Sequence, residues 1–545
     1  MRPSWREHRR ILLHNGVVYS PAQPFSTALL IDGDTVAWIG EDTAAQVHQE
    51  AVDLVVDLQG ALVTTGFVDA HVHATSTGLL LTGLDLTDAG SGVDVVDRLR
   101  AFARQAPGAP ILGHGWDETR WSDRTLPSRE DIDRAADGAP VYLSRIDVHS
   151  ALVSTSLIDA VAGVTDLDGW QRDSALSRAA HIRVRERALG GITVEQRRQA
   201  QGAMRAAAAR VGIVAVHEMA GPGISSEDDL SELMALAEES PGPLVFGYWG
   251  QLADEGGIET ARRLGAVGVA GDLFIDGAIG SRTACLHEAY RDASDVLGAS
   301  YLDADQVTRH LIAATEAGLQ GGFHVIGDAA SAMISTGLER ASVALGEDAI
   351  RRAGHRLEHA EMLSDRDIDV MVRLGVTASM QPMFDGHWGG PNGMYVERLG
   401  ADRAAGMNRF ADIAAAGGLL AFGSDAPVTS LGPWSAVRAA VHHTNPAQRI
   451  STRAAFSAHT RAGWRAVGQP GAGVLAPGAD AHLAIWHAEE LDVHVPDGRV
   501  SAWSTDPRSG TPGLPVLDAD APLPECLATI VAGRLVHSSD AVTWD

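Results

Sequence analysis

The chain has 545 residues, far more than one small domain needs, and its 45% hydrophobic and 21% charged residues are those of a folded globular protein rather than a disordered or fibrous one. Its formal charge of −27 comes from 70 acidic against 43 basic residues with no long basic run, which argues against nucleic acid or an anionic membrane surface as partner. Every one of those basic residues is arginine, because the sequence contains no lysine.

The opening MRPSWREHRR is basic, but the apolar run that follows, ILL, is too short for a signal-peptide core, so a cytoplasmic location is expected. No apolar run approaches the roughly 20 residues of a membrane helix. Cys285 and Cys526 offer neither a disulfide framework nor zinc-type spacing. From Arg10 to Leu58 the chain reads as short strands and turns, with Asn-Gly and Asp-Gly at hairpin positions. The same texture returns in HLAIWH and in CLATIVAGRLVHSS, so residues 1–62 and 470–545 are expected to form one composite β-sandwich.

Between these ends, across 63–469, apolar runs of strand length alternate with Ala-rich helical stretches, the pattern of an α/β protein with parallel strands and crossover helices. Many runs close on a polar residue: His73, His114, Asp147, His217, Asp276, His324, His359, Gln381 and Asp425. Functional groups at the C-terminal ends of strands fit a (β/α)8 TIM barrel better than a doubly wound sheet. There are more runs than eight, so an insertion is expected at about 75–210, after the first barrel strand, with 166–198 lying near the site.

In GFVDAHVHA, His71 and His73 share one side of an extended chain and can converge on one ion. Alone, each histidine here has an ordinary packing or hydrogen-bonding explanation. Joined by His324 in GGFHVIGD, His359 in RLEHAEM and Asp425 in AFGSDAPV, they are better explained as a divalent-metal site.

These motifs, with GHGWDETRW, DVHSALVS, VHEMAG, LFIDGAIGSRTA and ASMQPMFDGHW, resemble the metal-dependent amidohydrolase superfamily, in the branch of YtcJ-like proteins and N-substituted formamide deformylases (amidohydrolase family 3). The resemblance implies metal ligation by His71, His73, His324, His359 and Asp425, with Asp425 also taking the proton of the attacking water and His359 steadying the oxyanion. It implies a divalent cofactor, with zinc expected, and hydrolysis of a non-peptide C–N bond in an amide, formamide or cyclic amide of a small-molecule substrate. An ester or lactone hydrolase on the same site, or a degenerate binding barrel, are the alternatives, and a homodimer is left open.

Members of this branch commonly bridge two metals with a carboxylated lysine, and at that position this chain has Asp272. Either Asp272 bridges two ions as a shorter carboxylate, or one ion sits on His71, His73, His324 and Asp425; one ion is expected. Nucleobase deaminases of the superfamily carry a glutamate where this chain has Gly327, which speaks against that reaction. Arg282 is a candidate for a substrate carboxylate, and His114, Trp116, His149 and His217, with Asp117 and Glu218, are candidates for lining the pocket. Asp276 and Asp328 read as helix caps rather than as supports for a ligand histidine, His387 and Trp388 as a covering loop, and His442 and His443 as structural.

Overall fold

A computed structural model describes residues 9–173, 175–492 and 513–544; the first eight residues of the basic opening and part of the C-terminal half of the expected sandwich lie outside them. Eight parallel strands form one sheet in chain order: β1 (Phe67–Val72), β2 (Ile213–Ala220), β3 (Leu244–Trp249), β4 (Gly268–Val269), β5 (Gln320–Val325), β6 (Arg356–His359), β7 (Thr377–Met380) and β8 (Leu419–Phe422). The sheet closes into a barrel where β8 returns to β1: Asp425 N–H donates to His71 O and His73 N–H to Ala426 O, each at 2.8 Å. The strands read as near-continuous apolar runs because helices cover them outside and side chains fill them inside.

The helices start where the sequence supplies caps. Ser364 and Asp303 open Asp365–Arg373 and Ala304–Ala317 with reciprocal capping boxes, and Gly318 ends the latter in a left-handed turn. Isoleucines, valines and leucines on one side of these helices bury against the strands in the main core.

Two strand expectations are corrected. GDLFIDG does not form a strand: Gly271 has φ of +93°, Leu273 N–H folds back onto Gly271 O, and only Phe274 bridges to His324, so Asp272 projects from an irregular segment beyond β4. His217 does not close its run, since β2 continues to Ala220 and strand alternation sends His217 and Glu218 to opposite faces.

The insertion between β1 and β2 carries a five-stranded sheet, in spatial order Leu176–Ser177, Ser150–Val153, Val141–Arg145, Ile111–Trp116 and Leu84–Asp85. Its helix Arg178–Leu189 reaches toward the barrel mouth, and helix Val194–Arg210 leads into β2. The terminal segments build two further sheets around a shared core that includes Leu13, Leu29, Val63, Leu483 and Ile530. Ala532-Gly533 is a two-residue hairpin turn with both φ positive, whereas Asn15-Gly16 passes the chain from one sheet to the other and makes no hairpin.

Candidate metal centre

Strand alternation directs Asp69 and His71 of β1, and His73 just beyond its end, toward the barrel axis, and Arg356 and Glu358 of β6 likewise. By the same alternation His359 would point away. Its φ of +68°, followed by +49° at Ala360, turns the imidazole back toward the mouth, and Asp425 is also left-handed, at +55°. Such conformations cost on the order of 1–3 kcal/mol each in non-glycine residues and concentrate at functional sites. Here they are held by Ala360 N–H donating to Val325 O at 2.9 Å and by Asp425 N–H bonding to β1.

The four histidines and two aspartates meet at one point. Asp272 lies 3.1 Å from His73 Nε2, 3.4 Å from His324 Nδ1 and 3.6 Å from the Nε2 atoms of both His71 and His359. Asp425 Oδ1 lies 3.3 Å from His71 Nε2 and 3.2 Å from His73 Nε2. All six residues are buried.

Each imidazole has one nitrogen committed outward and the other facing the aspartates. His71 Nδ1 donates to Glu358 at 2.9 Å, His73 Nδ1 to Met219 O at 3.2 Å, His324 Nε2 to Gly277 O at 3.3 Å, and His359 Nδ1 to Gln381 Oε1 at 2.9 Å. Carbonyls and carboxylates only accept, so in their neutral form His71, His73 and His359 carry the remaining lone pair toward the centre, the arrangement that orients metal-binding histidines, while His324 Nδ1 lies 3.4 Å from Asp272 Oδ1. His71 Nε2, His359 Nε2 and Asp425 Oδ1 are buried there with no hydrogen-bond partner. Orphaned buried acceptors are costly, and a cation is what this donor set would satisfy. Two overlapping groups have the spacing for one: His71, His73 and Asp425, and His71, Asp272 and His359.

The electrostatics agree. Burial alone would lower the histidines, yet the Asp272 and Asp425 carboxylates raise His71 well above its ordinary value and His73 to about 9. His324 is pushed down to about 4 by burial and by His359 beside it. The cluster therefore holds protons where a divalent ion would replace them. Below it, burial would raise Glu358, but the Arg356 guanidinium takes its carboxyl down to about 2.

A cleft enclosing about 840 Å³ of space, part of it open to solvent, lies over this cluster. Phe274, Ile326, Phe384, Trp388 and Met394 form apolar walls; Arg145, Asp147, His149, Arg185, Glu361 and Tyr395 supply polar ones. His149 stacks edge-on against Phe274 and His324, and its side chain has no hydrogen-bond partner among the described residues.

Of the other sequence candidates, Trp388 lines the cavity, whereas His387 faces a separate cleft. Four pocket candidates are placed elsewhere. Arg282 forks onto Asp292 at 2.7 and 3.1 Å near the surface. Trp116 is buried in the core of the insertion with its Nε1 on Leu143 O. His217 lies inside the barrel against Arg356 at 3.2 Å. His114 is bonded to Ser144 and Pro427 O beside a neighbouring pocket. Asp276 accepts from the N–H groups of Cys285, Ile326 and Gly327, and Asp328 from His287 N–H; neither touches a ligand-type histidine. His442 and His443 bond to Leu517 O and Asn408 O. Glu358, Arg145, His181, Arg185 and Glu361 were not singled out by sequence, because contacts across the barrel and from the insertion bring them in. Only Glu358 had a signal, standing beside His359 in HRLEH.

A family model described as an amidohydrolase family matches residues 54–537, nearly the whole chain. The barrel and its polar mouth thus define the class, and the chain belongs to the amidohydrolase family. It is 27% identical to Protein LONG AFTER FAR-RED 3 of Arabidopsis thaliana, over 91% of this chain and 90% of that one. It is 26% identical to the putative amidohydrolase YtcJ of Bacillus subtilis, over 71% and 74%. Among solved structures, an uncharacterized metal-dependent hydrolase from Pyrococcus furiosus superposes with a TM-score of 0.68 at 25% identity, covering 87% of this chain and 98% of that one. Among the described residues no helix is long and apolar enough to cross a membrane.

Proposed function

We propose that the protein is a metal-dependent hydrolase that cleaves a non-peptide C–N bond in a small amide, formamide or cyclic amide. The observation that carries this reading is the pair of buried, unpartnered acceptors on His71 and Asp425 at one point of the barrel mouth, with the His71 ring oriented by Glu358 behind it.

We read one ion at this point, held by His71, His73 and Asp425 with Asp272 as the fourth ligand. Asp272 takes the place we expected for His324, because it stands 3.1 Å from His73 Nε2 while His324 faces Asp272 rather than Asp425. A bound divalent ion such as zinc would bring the pKa of a water to about 7 and polarise the scissile carbonyl. The chain supplies the rest. Asp425 takes the proton from the attacking water and delivers it to the departing nitrogen. His149, whose side chain makes no hydrogen bond among the described residues, is the donor positioned to meet the developing oxyanion. This replaces His359, whose Nδ1–H is already given to Gln381. The apolar walls hold the substrate body and exclude bulk water.

Metal analysis of protein purified without chelator tests this. One equivalent per chain is expected, lost in Asp425→Asn along with amidase activity. Two tightly held equivalents would overturn the single-ion reading and make Asp272, with His324 and His359, a bridge to a second ion. Full turnover by Asp425→Asn would remove its role as base.

A further inference from the structure

Three guanidinium groups line the cavity, and two have counter-ions. Arg145 is held by Asp117 at 3.0 Å, Glu118 at 2.8 Å and Asp147 at 2.9 Å. Arg178 pairs with Asp168 at 3.3 Å at the rim. Arg185, from the inner side of helix Arg178–Leu189, has only 8% of its surface exposed and makes neither an ion pair nor a hydrogen bond among the described residues. Its surroundings do not answer its charge either. Tyr142 hydroxyl and His181 Nε2, 2.7 Å apart, bond to each other, and His114 is committed to Ser144 and Pro427. Both His114 and His181 are pushed down, to about 4 and about 3, first by burial and then by Arg185 among other charges, so neither competes as a cation.

A buried arginine without a counter-charge is expensive, because desolvation of the guanidinium is repaid only by an anion or by several acceptors. The helix that carries it belongs to the insertion, and it faces the same cavity as His73, Asp272 and Asp425. Resting on the amide-hydrolase reading, we propose that Arg185 is the recognition site for a substrate carboxylate. The substrates are then amides that carry a carboxylate and an apolar body, as N-acyl amino acids do, with the body against Phe274 and Trp388. Planar guanidinium suits a carboxylate bidentately. The role expected for Arg282 passes to Arg185, since Arg282 is already neutralised by Asp292 outside the cavity.

The test uses the metal-loaded full chain and matched probes: N-formyl- and N-acetyl-phenylalanine and -leucine in both enantiomers, each beside the amide of the amine that lacks the carboxylate. Binding is followed by calorimetry and turnover by amine release. Wild type is expected to bind the carboxylate member roughly 10- to 100-fold more tightly, the range set by loss of one charged hydrogen-bond partner in a desolvated site. In Arg185→Gln that ratio should fall toward one with metal content unchanged, and Arg185→Lys should retain part of it, which separates lost charge from lost folding. Absence of any carboxylate preference in wild type, or a preference that survives Arg185→Gln, overturns the carboxylate site. Preferential binding with no turnover of any amide would leave the anion site standing and remove the amide-hydrolase reading.

Discussion

Replacing Glu358 by glutamine tests how the barrel interior supports the centre. Glu358 has no exposed surface and accepts from His71 Nδ1 at 2.9 Å and from Arg356 Nε and Nη2 at 2.5 and 3.0 Å. Arg356 is equally buried, and its other contacts, Ala70 O at 2.7 Å, His217 Nδ1 at 3.2 Å and the face of Tyr248 at 4.5 Å, are neutral. Glu358→Gln keeps the volume and one acceptor oxygen but leaves the guanidinium without a counter-charge, a loss on the order of 3–5 kcal/mol for a buried pair broken on one side. It also weakens the acceptor that fixes the His71 ring, a change worth about 10- to 100-fold in metal affinity. Removing both charges in Glu358→Gln/Arg356→Met should cost less than the sum of the single changes, because the orphaned ion is gone. Urea unfolding of the metal-free proteins reads the first quantity and chelator competition the second. A stability loss below about 1 kcal/mol, unchanged metal affinity, or additive single and double variants would refute the coupling between Glu358, Arg356 and His71.

A side chain at Gly327 would put its Cβ 2.0 Å from Cys285 O, so Gly327→Ala should lower the thermal midpoint by several degrees and cut activity by displacing the segment after β5. The same clash leaves no room for the glutamate that a deaminase would carry there. His310 stays neutral, accepting from Ala253 N–H at 3.1 Å and donating to Val269 O at 2.8 Å, with burial holding it down at about 4. Its folded value lies below its unfolded one, so its contribution to stability is complete above pH ~6.5 and is lost as pH falls toward 4. Between those values, the stability advantage of wild type over His310→Gln should shrink by about 1.4 kcal/mol per pH unit, measured by urea unfolding at a series of pH values. A pH-independent difference would contradict the neutral, buried state.

The barrel was legible because its strands are apolar runs ending in ionisable residues, a pattern that survives without knowledge of any contact. His73, His324, His359 and Asp425 stood out for that reason and His71 by its alternation with His73, whereas Asp272 came only from the resemblance, at the position of the family's lysine; in the structure the six lie together. His359 meets them only through a left-handed backbone that alternation could not foretell, since φ at a non-glycine residue leaves no mark in composition. Trp116 and His217 were misplaced for the opposite reason. Aromatic and imidazole rings in a short motif look the same whether they face a pocket or, as here, the core of the insertion and the barrel axis.

What sequence did not show is where the selectivity of the cavity would come from. Strand ends define a candidate reaction centre by local rules, but Arg185 reaches the cavity from a helix of the insertion between β1 and β2, with no periodicity linking it to the strand ends. Arg282 and Arg185 are both arginines in polar segments. Only the positions of Asp292, 2.7 Å from one, and of the apolar and neutral groups around the other distinguish a satisfied surface ion pair from a charge waiting for an anion. On the proposed reading, the metal ligands and the charge that would select among substrates therefore come from different layers of this fold. Substitutions in helix Arg178–Leu189 should change which amides are bound while leaving metal content alone, and substitutions at the strand ends should do the reverse.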